Sequence, residues 1–329
     1  MVVKVTKIIT IVFSVIALAA IGIYTQKIPF FDNQILSSPE QVLGTSESIP
    51  NKTYPPYWKF DQLEGTQLPS PPVLGATSAI GINLTSNKIF FEKNSSKRSP
   101  AASTIKIMTA VLALENKKLD DIVTVTQTAA SIEPDSMGLY PGEKLTIKQL
   151  VQGLMLVSGN DAAESIAEGV SGNRSEFVEL MNQKAKELGM NDTFFVNPSG
   201  LEGDGIHFTT PKDMAILSKY ALSKSAFREI VSEREILIPY TVNDRENHKN
   251  FYLGNTSPLI DYPGYLGIKP GYTPEANKCL VTLVNVENNE ILVVVLGSDD
   301  RKGDTESLLE YAKTLLINTS KKPFLNVPI

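Results

Sequence analysis

Cysteine, histidine and charge of one sign are all scarce in this sequence. Its 329 residues include one cysteine and two histidines, and the net charge at neutral pH is −5. A single thiol, Cys279, excludes an intramolecular disulfide, and within the apolar run "CLVTLVNV" it reads as a core residue rather than a nucleophile. His207 and His248 are too few and too far apart for a His-rich metal site, and a Ser-His-Asp triad is disfavoured for the same reason. No long basic block exists to bind nucleic acid, and no metal or cofactor is implied. Apolar residues make up 42% of the chain, ample for a sizeable core in one large domain or two smaller ones.

The N-terminus carries Lys4 and Lys7 followed by an almost unbroken apolar run from Ile8 to Tyr24. This pattern directs the chain to a membrane, with the lysines staying inside and the remainder exported. The run approaches the ~20 residues that span a bilayer. An uncleaved anchor is therefore preferred over a signal peptide cleaved near Ala17-Leu18-Ala19. Residues 1–31 form this segment, and 32–75, rich in Pro and Ser, form a linker or wrapped arm. A folded domain is expected over 76–318, with a tail over 319–329.

Within that domain, strands are expected near Ser78 to Asn83 and Lys88 to Glu92, and a helix over Ser103 to Glu115. The middle, about Asp120 to Val231, reads as helical: "LTIKQLVQGLMLV", "DAAESIAEGV" capped by Asn160 or Asp161, and "SEFVELMNQKAKELG". Strand character returns in "GYLGIKPGYT", "KCLVTLVNV" and "EILVVVLG", the last two joined by an Asn288-Asn289 turn, before the amphipathic "DTESLLEYAKTLLIN". The fold class is thus α+β: an antiparallel sheet assembled from both ends of the domain, flanked by helices, with an all-helical lobe inserted between.

Three short motifs carry chemistry. Ser103 and Lys106 stand three apart at the start of a helix, on one face, so that hydroxyl and amine can meet. A serine becomes a nucleophile when a base takes its proton, and a lysine serves once burial or a nearby cation lowers its pKa. Ser158-Gly159-Asn160 sits in a turn between two helices; the same triplet at Ser171-Gly172-Asn173 shows that such turns also arise as plain caps. Lys269-Pro270-Gly271 interrupts a strand with a residue confined to sheet edges and bulges. "GLEGDGIHFTTPKD", with Asp204, His207 and Asp213, reads as a structured loop rather than a triad.

In order, Ser-x-x-Lys, Ser-x-Asn and Lys-x-Gly form the signature of serine penicillin-binding enzymes and β-lactamases. More closely, "AASTIKIMTAVLALE", "LMLVSGNDAAESIAEGVSG", "FVELMNQKAKELGMNDTFFVNPSGL", "HFTTPKDMAIL" and "GIKPGYTPEANKCLV" make the chain, from about Ala76 to Ile317, resemble the D-alanyl-D-alanine carboxypeptidases of the low-molecular-weight penicillin-binding proteins. The resemblance implies a β-lactamase/DD-peptidase-like fold on the outer face of a bacterial membrane. It also implies a peptidoglycan stem peptide as substrate and β-lactams as covalent inhibitors. Ser103 would attack, Lys106 accept its proton, Ser158 relay a proton to the leaving D-alanine, and Asn160 bond the substrate backbone and Lys106. Lys269 would hold the terminal carboxylate, with Gly271 beside it and the Ser103 and Tyr272 amides as oxyanion hole. Many such enzymes continue into a small β-rich domain and a C-terminal anchor; here the N-terminal segment is expected to tether instead. The family usually has Thr where this chain has Pro270, which implies weaker carboxylate and β-lactam binding. The alternatives are a β-lactamase, for which no Glu-x-x-x-Asn loop is evident at a suitable distance beyond Ser158, and a catalytically weakened peptidoglycan-binding homologue.

Overall fold

The computed structural model describes residues 59–63, 68–205 and 207–320, all within a compact unit spanning Thr53–Ile329. The N-terminal apolar segment, the first part of the linker and the end of the tail lie outside the described residues. Among the described residues no helix is long and apolar enough to cross a membrane.

The main sheet takes strands from both ends of the unit. It comprises β1 (Asp61–Gln62), β2 (Ser78–Asn83), β3 (Lys88–Lys93), β10 (Tyr265–Thr273), β11 (Asn277–Val286) and β12 (Asn289–Ser298), in the order β1-β3-β2-β12-β11-β10. Every pairing is antiparallel except β1 with β3, where the arm adds a parallel strand. The near-continuous apolar runs of β11 and β12 have a direct cause, because both faces of this sheet are covered. Cys279, Val281 and Leu283, with Leu292, Val294 and Leu296, face one hydrophobic cluster. Leu280 and Val284, with Ile291, Val293 and Val295, face the other. The β11–β12 connection is the two-residue turn Glu287-Asn288, both at positive φ, one residue earlier than the expected Asn288-Asn289.

The inserted lobe is mainly helical. A 3-10 turn, Ala102–Ile105, runs into α1 (Lys106–Asn116), whose residues through Ala113 are all buried. The lobe continues through β4 (Ile122–Thr124), α2 (Gln127–Ala130), β5 (Lys144–Thr146), α3 (Ile147–Leu156), α4 (Asn160–Ser171), α5 (Arg174–Glu187), α6 (Pro211–Leu222) and α7 (Ser225–Ser232). Then follow β6 (Glu235–Ile238), β7 (Thr241–Val242), β8 (Asn247–His248) and β9 (Phe251–Gly254), and after the sheet strands α8 (Arg301–Ser320). The lobe is therefore not all-helical: β4-β5-β8-β7 form a small sheet and β6-β9 a hairpin. Strands of two to four residues are too short to show the two-residue periodicity that would reveal them.

The helix starts follow local chemistry. Thr146 and Gln149 close a capping box on α3, and Thr210 caps α6 ahead of Pro211. At α4 the cap position is Gly159, with no side-chain cap. Asn160 and Asp161, expected as caps, are inside the helix and turned to other work.

The arm is wrapped rather than loose over its described part. Asp304 near the start of α8 accepts hydrogen bonds from the Gly75 and Ala76 amides, both at 2.8 Å, and from Ser298 Oγ at 2.6 Å. Tyr311 donates to the Pro69 carbonyl at 3.1 Å. Asp304→Ala leaves two amides and a buried hydroxyl without their acceptor, so unfolding in urea is expected to cost about 2–3 kcal/mol less. An unchanged midpoint would mean the arm adds nothing to the domain's stability.

Candidate active site

Ser103 is the one residue of its 3-10 turn that is not buried; Ala102, Thr104 and Ile105 all are. Ala102 holds a left-handed φ of +46°, rare for a residue with a side chain. One turn on, Lys106 is fully buried at the head of α1. Its Nζ lies 2.8 Å from Ser103 Oγ, 2.6 Å from Asn160 Oδ1 and 2.7 Å from the Ser199 carbonyl oxygen. Amide and peptide oxygens can only accept, so those two contacts commit two N–H bonds. On a neutral amine what remains is the lone pair, directed along the third contact at the Ser103 hydroxyl. Burial, and next the charge of Lys269, hold the Lys106 pKa well below its usual value. Asp135, Asp161 and Glu164 pull the other way without reversing it.

Asn160 is 1% exposed and stands behind the cleft wall. Its Oδ1 accepts from Lys106, its Nδ2 donates to the Pro134 carbonyl, and its backbone N–H donates to the Asp135 carbonyl at 2.7 Å. Asp161 accepts from Ser136 Oγ and from the amides of Met137, Gly138 and Leu139. The two residues after the Ser158-Gly159 turn thus pin the 134–139 loop to α4, and that loop carries Asp135 over the cleft.

The cleft, about 200 Å³, is lined by Ser103, Asp135, Val157, Ser158, Thr256 and Arg301, together with Lys269 to Tyr272. Ser158 reaches it from a left-handed φ of +65°. Lys269 is fully buried and its Nζ has no hydrogen-bond partner among the described residues. Burial, with Arg301 adding to it, lowers its pKa to about 7 against the pull of Asp135. Arg301 donates to the carbonyl of Gly271 at 2.7 Å and to that of Cys279 at 3.3 Å. Lys269 and the Arg301 guanidinium thus line the same cleft, a setting for a carboxylate, whose charge would favour the protonated lysine.

β10 is the sheet's edge, as Pro270 requires, and it approaches the serine turn closely. A Cβ at Gly271 would stand 3.0 Å from the amide nitrogens of both Ser103 and Thr104. Only glycine lets the strand backbone lie this near the Ser103 amide. Tyr272 follows, an exposed residue that also lines the cleft.

The structure thus brings together Ser103, Lys106, Ser158, Asn160, Lys269, Gly271 and Tyr272 from three separate stretches of chain. Sequence reasoning missed Ser199, which contributes a carbonyl and so leaves no side-chain signature, as well as Asp135, Thr256 and Arg301. Asp204, His207 and Asp213 do not converge. Asp213 accepts from the Asp192 amide and Thr193, Asp204 pairs with Arg174, and His207 Nδ1 accepts from the Val196 amide while burial lowers its pKa to about 4. Cys279 is a buried thiol whose pKa burial raises to about 11. No cluster of metal-ligating side chains occurs among the described residues.

Comparison with known proteins gives consistent matches. The family model described as D-alanyl-D-alanine carboxypeptidase, peptidase S11, matches residues 66–300. The D-alanyl-D-alanine carboxypeptidase DacF of Bacillus subtilis is 38% identical over 247 residues, covering 72% of this chain and 62% of that protein. That of Streptomyces sp. K15 is 30% identical over 260 residues, covering 74% of this chain and 89% of the relative. The crystal structure of the Streptomyces K15 DD-transpeptidase superposes with a TM-score of 0.70 at 29% identity, over 74% of this chain and 99% of that one.

Lys269 is a costly residue to bury, which sets a pH signature. Between pH 7 and about 10.5 the unfolded lysine holds a proton that the folded one has released, so stability rises with pH across that window. Lys269→Met is expected to be about 1–2 kcal/mol more stable at pH 7, with a shallower rise towards pH 10 and with lost function. Urea unfolding at pH 7 and 9 reads both effects, and a less stable variant would show that Lys269 is held by interactions other than those described.

Proposed function

The chain belongs to the D-alanyl-D-alanine carboxypeptidase (peptidase S11) family, and on that premise we propose that it removes the terminal D-alanine from peptidoglycan stem peptides through an acyl-Ser103 intermediate. The observation that carries this reading is the Lys106 amine, its two N–H bonds occupied by Asn160 and Ser199 and its third contact on Ser103.

Ser103 Oγ attacks the carbonyl carbon between the two D-alanines as Lys106 takes its proton. The oxyanion forms where Gly271 lets the strand meet the Ser103 amide, and the Ser103 and Tyr272 N–H groups stabilise it, each worth about 3 kcal/mol. The C–N bond then breaks as Ser158 gives its hydroxyl proton to the leaving amine and takes in its place the proton that Lys106 had accepted from Ser103, which leaves Lys106 neutral again. Free D-alanine departs. Water, deprotonated by the again neutral Lys106, adds to the ester, and collapse returns the proton to Ser103 and releases the trimmed peptide. Lys269 and Arg301 hold the terminal carboxylate during the first half of this cycle.

The substrate lies outside the cell membrane, and the run Ile8 to Tyr24 gives the chain a means of reaching it. We take this segment as a membrane tether and the Pro-rich stretch after it as the spacer that sets the domain's reach. β-Lactams, which present a reactive carbonyl beside a carboxylate, are the expected covalent inhibitors.

Pro270 tunes this site. On the edge strand it opposes Leu280, and its missing N–H does not prevent the strand from pairing with β11. What the chain gives up is a hydroxyl beside the carboxylate, leaving Lys269 and Arg301 to bind it.

Two measurements test the proposal. Intact-mass spectrometry after penicillin is expected to show one adduct that vanishes in Ser103→Ala, and a stem-peptide mimic is expected to release D-alanine only with the unmodified serine. D-alanine release from Ser103→Ala at the normal rate would sink the reading. Pro270→Thr is expected to speed penicillin acylation by about tenfold or more, since a charge-assisted hydrogen bond is worth about 1.5–3 kcal/mol; an unchanged rate would remove Pro270 as a determinant.

A further inference from the structure

The segment "NPSG", Asn197 to Gly200, matters to the site through its backbone alone. Ser199 supplies the carbonyl that holds Lys106, and Pro198 supplies one to Thr109 Oγ1 at 2.6 Å, so the loop lies along the buried face of α1. A peptide carbonyl fixes an amine only as well as its own loop is fixed. Here the fixing is done by one fully buried side chain. Asn197 Oδ1 accepts from the Gly200 amide at 2.7 Å, from the Ser199 amide at 3.1 Å and from Ser199 Oγ at 3.3 Å. Its Nδ2 donates to the Leu201 carbonyl and to Asp204 Oδ2, both at 2.8 Å. Gly200, at a φ of +85°, is pressed against the Ala102 carbonyl so closely that any Cβ would collide with it. The loop that orients the base therefore also braces the turn that presents Ser103.

From this geometry we propose that Asn197 is a positioning residue for acylation: it locks the Ser199 carbonyl, which with Asn160 fixes the Lys106 amine so that its lone pair faces Ser103. The inference rests on the acyl-serine reading above. Asn160 and Ser199 form the two halves of a clamp, and losing either frees the amine to turn. Asn160 is held by the 134–139 loop and the start of α4, while Ser199 depends on Asn197. Behind Asn197 the bonds continue through Asp204 to Arg174, which also lies 3.4 Å from Glu164, one helical turn after Asn160. The two halves of the clamp are thus tied together at the rear. The charged and titratable groups that act on Lys106 from these elements are Lys269, Asp135, Asp161 and Glu164, with His207 and Asp204 beyond the loop.

The test compares the folded wild-type domain with Asn197→Ala and Asn197→Asp, following acylation of Ser103 by penicillin and by an acyl-D-alanyl thioester across pH 5–9. In Asn197→Ala the acylation step is expected to fall about 10–100-fold, as for a base displaced by around 1 Å, while the precovalent dissociation constant changes less than about twofold. Asn197→Asp keeps the acceptor for Ser199 and Gly200 and adds a negative charge near Lys106. It is expected to retain more of the plateau rate than the alanine variant and to move the acid limb of the profile, where Lys106 is protonated, to higher pH. A folded Asn197→Ala that acylates like wild type would overturn the proposal. So would a rate loss that only tracks lost folded protein, with no shift of the acid limb in Asn197→Asp. If Asn197→Ala does not fold, the limb in Asn197→Asp decides alone. Absence of acylation in the wild type would defeat the acyl-serine reading itself, a result distinct from either outcome for Asn197.

Discussion

A lysine amine buried away from water, held neutral and aimed by two oxygens that can only accept, is the constraint on which the rest of this molecule depends. Lys106 is of use only if it is desolvated, and it is directed only if Asn160 and Ser199 arrive from distant parts of the chain to within 2.6 and 2.7 Å. That requirement accounts for the architecture around it. α1 is buried from Lys106 through Ala113, so its first turn is shielded from bulk solvent and meets the cleft only at Ser103. α4 begins where it does so that its first residue faces the lysine rather than capping the helix. The 197–200 loop lies inside the lobe, with its exposed-type backbone groups satisfied by Asn197 and Thr109.

The cost of this arrangement is visible at the same place. Two lysines are fully buried within reach of each other's charge, and Ala102, Asp135 and Ser158 all hold left-handed φ angles around the cleft. Each of these disfavours the folded state, and their concentration at one cleft is the pattern expected when strain and buried charge serve chemistry. Compensation comes from the sheet. β11 and β12 bury both faces against the lobe and α8, giving a rigid platform whose edge strand can come close to the serine turn without yielding.

Legibility in the sequence followed how local the cause was. The long strands of the main sheet, the helices from α3 to α5 and α8 are written in runs and periods, and the structure places them within a residue or two of those expectations, except that α8 starts three residues earlier, at Arg301. The small sheet and hairpin of the lobe were not legible, because a strand of two residues such as Thr241–Val242 has no period to detect. Asp161 reads as a cap because its position and type fit one. Only the fold shows that its carboxylate is occupied by the amides of 137–139, a contact between residues more than twenty apart.

By itself the sequence determined the family, the order of the elements and the identities of the motif residues Ser103, Lys106, Ser158, Asn160, Lys269 and Gly271, because side-chain chemistry and spacing are local properties. It also determined that the Lys269 strand must lie at an edge, since proline has no N–H to give a partner on both sides. The tertiary structure alone decided which groups surround the lysine. Ser199 acts through a backbone carbonyl that every residue possesses, Arg301 and Asp135 enter the cleft from elements without a motif, and Asn197 works one step behind. The lowered pKa of Lys106 is likewise a property of burial, which exists only once the chain has folded.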